Sequence, residues 1–379
     1  MHRVLVISHT YLDPAHRGKL RALAARGLEV TVGVPQRWRE PALGVPIEIA
    51  WERQGGVEVF PIPARPIGDT ERAEFGRRAL RALLRDKRPD LVQIEEEPTS
   101  AVARQVIAAA RRLAIPSVLF TRQNVDLRLP FLVRWARRRT LRRLKGLAAG
   151  SEAAAELARR EAPGLPVAVL PQIGVPVPHE PVHAPHEGLA VGCVARLVGR
   201  KGLDNLLQAL ALNRAAPWHL TVVGDGPDRE RLERLASALR LAARVRWAGA
   251  LPPEQLARVW PGLDVLVQPS RALPDWHEPN GHALVEAMAH AVAVIGTASG
   301  VLPEVIGDAG VLVPPDDVPA LAAELRRLGD DAVRRPLALA GRARALKFYS
   351  DDAVAERTLN FWKTLLEGAG SGERGAVLA

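Results

Sequence analysis

Short apolar runs alternate with stretches of helical spacing from one end of the chain to the other, and this alternation predicts an α/β protein built on parallel sheets. Residues 3–8, 28–34, 90–95, 115–120 and 147–150 read as strands, and 19–26, 99–113 and 129–144 as helices. A polar, proline-rich stretch at 171–186 has little periodicity and reads as a linker. The cycle then restarts with a strand at 189–195, a helix at 203–213, a strand at 219–223 and a helix at 227–239. Further strands are expected near Val245, Val265, Val292 and Val311, with helices between them. Two Rossmann-like doubly wound domains result, residues 1–173 and 174–350, expected to face a central cleft with ligands beyond the carboxyl ends of the strands. The last helical stretch, in 351–379, is expected to pack back on the first domain.

A length of 379 residues suits two cores rather than one, and 47% hydrophobic with 25% charged residues is ordinary for a water-soluble enzyme. Cys193 lies in an apolar run and reads as a core residue; a single cysteine excludes an internal disulfide and fits a reducing compartment. The chain opens directly on a strand-like run, and no apolar run reaches the length of a membrane span, so a cytoplasmic location is expected.

The net charge of +10 predicts attraction to anions without naming one. Arg134, Arg137, Arg138, Arg139, Arg142, Arg143 and Lys145 crowd one stretch, interleaved with Leu132, Trp135, Leu141 and Leu144. That pattern reads as a basic helix with one apolar side. It fits either a peripheral contact with anionic lipid at the inner membrane face or a solvated arginine face on an ordinary helix. No known binding pattern supports nucleic acid as a partner.

Glu278 and Glu286 carry the most specific chemistry, in Glu278-Pro279-Asn280-Gly281-His282-Ala283-Leu284-Val285-Glu286. The residue before a proline is pushed out of helical geometry, so Glu278 is expected in loop backbone. Gly281 frees the chain to turn, and a helix is expected from about His282. A helix start attracts anions and two flanking acids can accept hydrogen bonds from hydroxyls, which suits a phosphate next to a polyol. A second basic cluster, Arg196, Arg200 and Lys201, follows strand 189–195 at the start of another helix, where cations are unfavourable unless an anion sits among them. A diphosphate suits Arg196 and Lys201 in that role. Val223-Gly224-Asp225-Gly226-Pro227 forms a glycine turn before a helix, and Asp225 reads as part of that turn; the third glycine of a dinucleotide fingerprint is missing.

The order of Val194-Ala195-Arg196-Leu197 with Lys201-Gly202, then Val223 to Gly226, Pro269-Ser270, the Glu278 to Glu286 stretch and Gly300-Val301-Leu302-Pro303-Glu304 resembles the retaining glycosyltransferases of family 4, closely in the second half and loosely in the first. The resemblance implies the two-domain fold called GT-B. It implies that Arg196 and Lys201 hold the donor diphosphate and that Glu278 contacts hydroxyls of the transferred sugar. The backbone at Asn280, Gly281, His282 and Ala283, with Gly224, would lie on the donor side, and Glu286 would take the ribose hydroxyls. No metal and no cofactor are implied, since the nucleotide sugar is a substrate and cations neutralise the leaving group.

The first half departs from the family pattern, with Ser8-His9-Thr10-Tyr11 where relatives carry a glycine pair and Thr121-Arg122-Gln123-Asn124 where many carry a histidine. His9, Gln123 and Asn124 are the candidates there for contact with sugar or acceptor. Glu95, Glu96 and Glu97 read mainly as a solvated turn. The expected activity is hexose transfer from a nucleoside diphosphate sugar, with UDP favoured and GDP-mannose the second choice, to a hydroxyl of a glycan, lipid or small molecule. A sugar-nucleotide epimerase and a non-catalytic sugar-nucleotide or polysaccharide binder are the alternatives.

Overall fold

The structure, a computed structural model, describes residues 1–39, 46–127 and 129–367. The chain divides into two compact units, one formed by residues 1–174 with the segment from Asp351 onward, the other by residues 175–350. Residues 368–379 of the expected C-terminal segment lie outside the described residues.

The first unit holds an eight-stranded sheet of β1 (Arg3–Ile7), β2 (Glu29–Pro35), β3 (Glu52–Gln54), β4 (Val57–Ile62), β5 (Leu91–Ile94), β6 (Ser117–Thr121), β7 (Gly146–Ala149) and β8 (Val167–Val169), in the order β8-β7-β6-β5-β1-β2-β4-β3. Every pair is parallel except β3 with β4 at the edge, a departure from the wholly parallel sheet expected. All residues of β5, β6 and β7 are buried, as strands covered on both faces require. The helices are α1 (Gly18–Ala25), α2 (Arg77–Lys87), α3 (Ala101–Arg112), α4 (Phe131–Leu141) and α5 (Glu152–Glu161). Ser100 and Ser151 start α3 and α5 by accepting the backbone N–H of Ala103 and Ala154.

The second unit is a six-stranded, wholly parallel sheet of β9 (Leu189–Val194), β10 (Trp218–Val223), β11 (Val245–Gly249), β12 (Val265–Gln268), β13 (Ala293–Thr297) and β14 (Val311–Val313), in the order β11-β10-β9-β12-β13-β14. Its longer helices are α6 (Leu203–Leu212), α7 (Arg229–Ala238), α8 (His282–Ala289), α9 (Val318–Arg327) and α10 (Asp331–Phe348). One core packs Val191, Cys193, Leu206 and Leu220 on one face of the sheet; another packs Leu266, Leu284, Val294 and Ile306. Burial pushes the Cys193 thiol up to about 12, so it stays protonated and serves as a small apolar side chain.

In both units the strand order reverses at one point, between β1 and β5 in the first and between β9 and β12 in the second. Loops leaving adjacent strands diverge there and open a crevice at the carboxyl ends, where doubly wound sheets bind ligands. The final helix, α11 (Asp351–Glu367), belongs to the first unit. Its Phe361, Trp362 and Leu365 complete that unit's core, and Trp362 Nε1 donates to Gln93 Oε1 on β5 at 2.6 Å. Gly146 makes room for the helix, since a Cβ there would lie 2.5 Å from Leu365.

Candidate functional site

The loop leaving β9 ends in a 3₁₀ turn, Gly199–Lys201, and Gly202 then adopts a φ of +66° before α6 begins. A Cβ on Gly202 would stand 2.0 Å from the carbonyl oxygen of Pro269, just past β12. Glycine therefore lets the two loops at the switch point close on each other. Their contact places Lys201 Nζ 2.6 Å from Glu278 Oε2, and Ser270 Oγ donates to the same oxygen at 2.6 Å. Glu278 is only 1% exposed, so the pair and the hydroxyl satisfy an acid that burial would otherwise penalise.

The backbone of Glu278 is fixed as well. Its carbonyl accepts the N–H of Val301 at 2.9 Å, and its N–H donates to Ser299 Oγ at 3.4 Å. Gly300, at a φ of +57°, permits this approach, because a Cβ there would meet the Glu278 carbonyl oxygen at 2.0 Å. The indole of Trp276 lies 5.5 Å from Lys201 Nζ and 4.9 Å from the Arg200 guanidinium, a cation–π face over both. Arg271 braces the loop from below through Asp204 at 3.1 Å and Asp316 at 2.8 Å.

Beyond Glu278 and Pro279, α8 starts at His282 with Gly281 as its N-cap and no side chain capping its first turn. The first N–H groups of such a helix are not used by its own backbone ladder, and they favour anions. Gly281 differs from expectation: its φ is −93°, an ordinary value, and a Cβ there would crowd the Val305 side chain at 3.0 Å. Glu286 lies one turn further on, half-buried, with Oε1 3.3 Å from His282 Nε2. Arg196 is exposed and forms no ion pair among the described residues. Gly224, at a φ of +129°, gives its N–H to Gly249, and its missing side chain makes room for the Ala195 carbonyl. Its glycine requirement is thereby met within the fold.

The first unit gathers another set at its own switch point. His9 Nδ1 lies 2.7 Å from Glu96 Oε1, the oxygen that also accepts the His9 backbone N–H, and the imidazole stacks on Trp38 at 5.6 Å. Glu95 and Glu96 are buried, which corrects the expected solvated turn. Glu95 accepts from Lys19 Nζ and Gln93 Nε2, both at 2.6 Å, and from the Tyr11 hydroxyl at 2.8 Å. Burial, with the Glu95 charge beside it, holds the Tyr11 hydroxyl well above its ordinary value, so it remains a donor. Glu97 accepts from Thr121 Oγ1 and from the Arg122 N–H. A small cavity of about 50 Å³ lies among His9, Glu71, Glu96, Glu97 and Arg122. Gln123 donates to the Val125 carbonyl and accepts from the buried Arg137, and Asn124 is half-buried beside it.

Of the residues singled out from sequence, the structure bonds Lys201 to Glu278 and sets His282 and Glu286 on the helix that follows. It shows no bond between these and Arg196 or Gly224 among the described residues. Ser270, Trp276 and Ser299 were given no role from sequence, Ser270 entering only through the Pro269-Ser270 element; in the structure they bond the Glu278 carboxylate, face Lys201 and bond the Glu278 N–H. Each follows a strand end or precedes the Glu278 motif, and that position was the available signal.

Two doubly wound units, each with its loops at the switch point, form the architecture called GT-B. Residues 179–345 match the family described as glycosyl transferases group 1, and residues 15–173 match a glycosyl transferase 4-like domain. The chain belongs to the group 1 glycosyltransferases. It is 35% identical over 193 residues to a 2-deoxystreptamine N-acetyl-D-glucosaminyltransferase of Streptomyces fradiae, covering 49% of this chain and 44% of that one. It is 37% identical over 163 residues, 41% of this chain and 43% of the other, to a GDP-mannose-dependent alpha-(1-6)-phosphatidylinositol monomannoside mannosyltransferase of Mycolicibacterium smegmatis. The matches thus span under half the length of these curated relatives. Among solved structures, a sucrose-phosphate synthase from Thermosynechococcus elongatus superposes with a TM-score of 0.75 at 21% identity, over 97% of this chain and 100% of that one.

Proposed function

We propose that this chain is a retaining, metal-independent glycosyltransferase that moves a hexose from a nucleoside diphosphate sugar to an acceptor hydroxyl of a glycan, lipid or small molecule. The observation that carries this reading is the Lys201–Glu278 pair at the β9/β12 switch point, next to the start of α8. Lys201 and Arg196 supply positive charge for the leaving diphosphate, and the α8 amides at Asn280 to Ala283 add donors for phosphate oxygens. Glu278 takes hydroxyls of the transferred sugar, and Glu286 those of the ribose. The Glu278 carboxylate already accepts from a lysine and a serine, which makes it a poor nucleophile. Departure and attack on one face, with the leaving phosphate taking the acceptor proton, fits that constraint. His9 is the candidate for contact on the acceptor side, with Gln123 and Asn124 behind it.

Uridine is our reading of the base. The mannosyltransferase relative, named for GDP-mannose, supports guanosine as the second reading. The test is a panel of UDP- and GDP-sugars with sugar alcohols, glycans and lipid acceptors, read by nucleoside diphosphate release and by the anomeric configuration of the product. Release of nucleotide with an α-linked product from an α-donor is expected. No release from any donor, together with no thermal stabilisation by UDP or GDP, would overturn the reading. An epimerised donor would redirect it to isomerase chemistry.

A further inference from the structure

Among the described residues thirteen large apolar side chains are exposed, and five of them fall between Leu127 and Trp135. Single exposed apolar residues are ordinary, but a cluster marks a contact surface. Phe131 and Leu132 are 72% and 75% exposed, and Trp135, one turn further along α4, is 55% exposed. The same solvent side of the helix carries Arg134, Arg138, Arg139 and Arg142, all exposed.

The helix does not divide as its sequence suggests. Leu141 is fully buried, and Leu144 packs partly against the core, so these two leucines anchor the helix inward. Arg137 also faces inward, bonded to Glu161 Oε2 at 2.5 Å. The apolar residues at the start of α4 are left over from that packing. They stand beside cations for which no carboxylate partner exists among the described residues. Arg139 lies 5.4 Å from the Trp135 ring, which links the two chemistries on one surface. Partial burial, and after it the like charges of Arg139 and Arg111, lowers the Arg143 pKa.

We propose that the solvent face of α4 docks on an anionic phospholipid bilayer, with Phe131, Leu132 and Trp135 entering the headgroup boundary and Arg134, Arg138, Arg139 and Arg142 held against lipid phosphates. Aromatic and aliphatic side chains next to arginines form the composition of helices that lie in a membrane interface. The charge is complementary to an anionic leaflet, and it disfavours a second copy of this chain, whose own α4 would bring the same cations face to face. The surface belongs to the first unit alone, and its reading does not depend on the transfer reaction.

The test floats the full chain with vesicles of phosphatidylcholine alone and with vesicles of equal parts phosphatidylcholine and phosphatidylglycerol, at low and at high salt. Binding to the mixed vesicles only, weakened by salt, is expected. Arg138→Gln/Arg139→Gln/Arg142→Gln should lower it on the order of 100-fold, at about 1 kcal/mol for each cation near the surface. Phe131→Ser/Leu132→Ser/Trp135→Ser should abolish the salt-resistant remainder while the melting temperature holds, because all six side chains are exposed. Equal binding to both vesicle types overturns the proposal, as does full binding by both triple variants. Self-association that the apolar triple variant abolishes, without vesicle binding, would assign the surface to a second copy. Complexes with polyglutamate but not with the mixed vesicles would assign it to an acidic protein partner.

Discussion

Lys201 Nζ and Glu278 Oε2 meet at 2.6 Å with Glu278 sealed from solvent, so the cation proposed for the diphosphate is also the counter-ion of a buried acid. Lys201→Ala should then act twice. Turnover should fall on the order of 10²–10³, as for other lost donors to a developing anion. Stability should fall by about 3 kcal/mol, because an uncompensated buried carboxylate remains. Lys201→Met with Glu278→Gln should recover most of the melting temperature and none of the activity. Arg196→Ala, at an exposed position with no ion pair among the described residues, should lower turnover by a similar factor and leave the melting temperature alone. Thermal melts alongside nucleotide release separate the two arginine and lysine roles.

Glu286→Ala should weaken binding of the free nucleoside diphosphate by roughly 10- to 100-fold, since hydrogen bonds to a charged acceptor are worth about 1.5–3 kcal/mol. Among the described residues its carboxylate has a half-buried contact with His282 Nε2 at 3.3 Å, so the protein should remain folded. Calorimetric titration with UDP and GDP measures this; an unchanged affinity for both would remove Glu286 from the site.

Gly202→Ala should disturb the site through the backbone. A left-handed conformation costs a non-glycine residue about 1–2 kcal/mol, and the new Cβ would overlap the Pro269 carbonyl at 2.0 Å. The loop must shift to relieve the overlap, and Lys201 is the residue next to it. A lower melting temperature with reduced turnover is expected. Full activity at an unchanged melting temperature would show that the loops have slack.

Trp362→Phe should cost about 1–3 kcal/mol, because the Gln93 amide oxygen loses a buried donor. Trp362→Ala should cost about 3–5 kcal/mol from the cavity it leaves. Urea denaturation of the two variants measures the ordering.

His219 gives a pH dependence whose sign is fixed. Burial, and after it the neighbouring His186, lower its pKa below the ordinary 6.5. The folded protein therefore binds fewer protons there than the unfolded chain. This contribution to stability is complete above 6.5 and is lost as pH falls below it. His219→Gln should match the parent above 6.5 and outlast it in thermal melts at lower pH.

The strands were legible because a parallel strand covered on both faces is a short apolar run. Those expected at 3–8, 90–95 and 189–195 lie within two residues of β1, β5 and β9. What escaped was encoded away from its own neighbourhood. β4, Val57–Ile62, is interrupted by Glu58 and Pro61 near a sheet edge, and α2 is masked by its arginines. Glu95 and Glu96 read as solvated acids because their burial depends on distant partners; Lys19, on α1, is one of them. Of the site, the residue types around Glu278 were visible in order. That Lys201 would bind Glu278 itself was not, because the contact depends on how Gly202 meets Pro269.

Trp362 belongs to a core most of whose members are made long before it. As the ribosome works along the chain, the sheet from β1 to β8 emerges first, and the whole of residues 175–350 follows before α11 is available. At about 5–20 residues per second that interval is roughly 10–35 s. For that time the nascent first unit carries an open apolar trough on the side that Phe361, Trp362 and Leu365 will fill, and it must wait, or be shielded by a chaperone, until its last helix arrives.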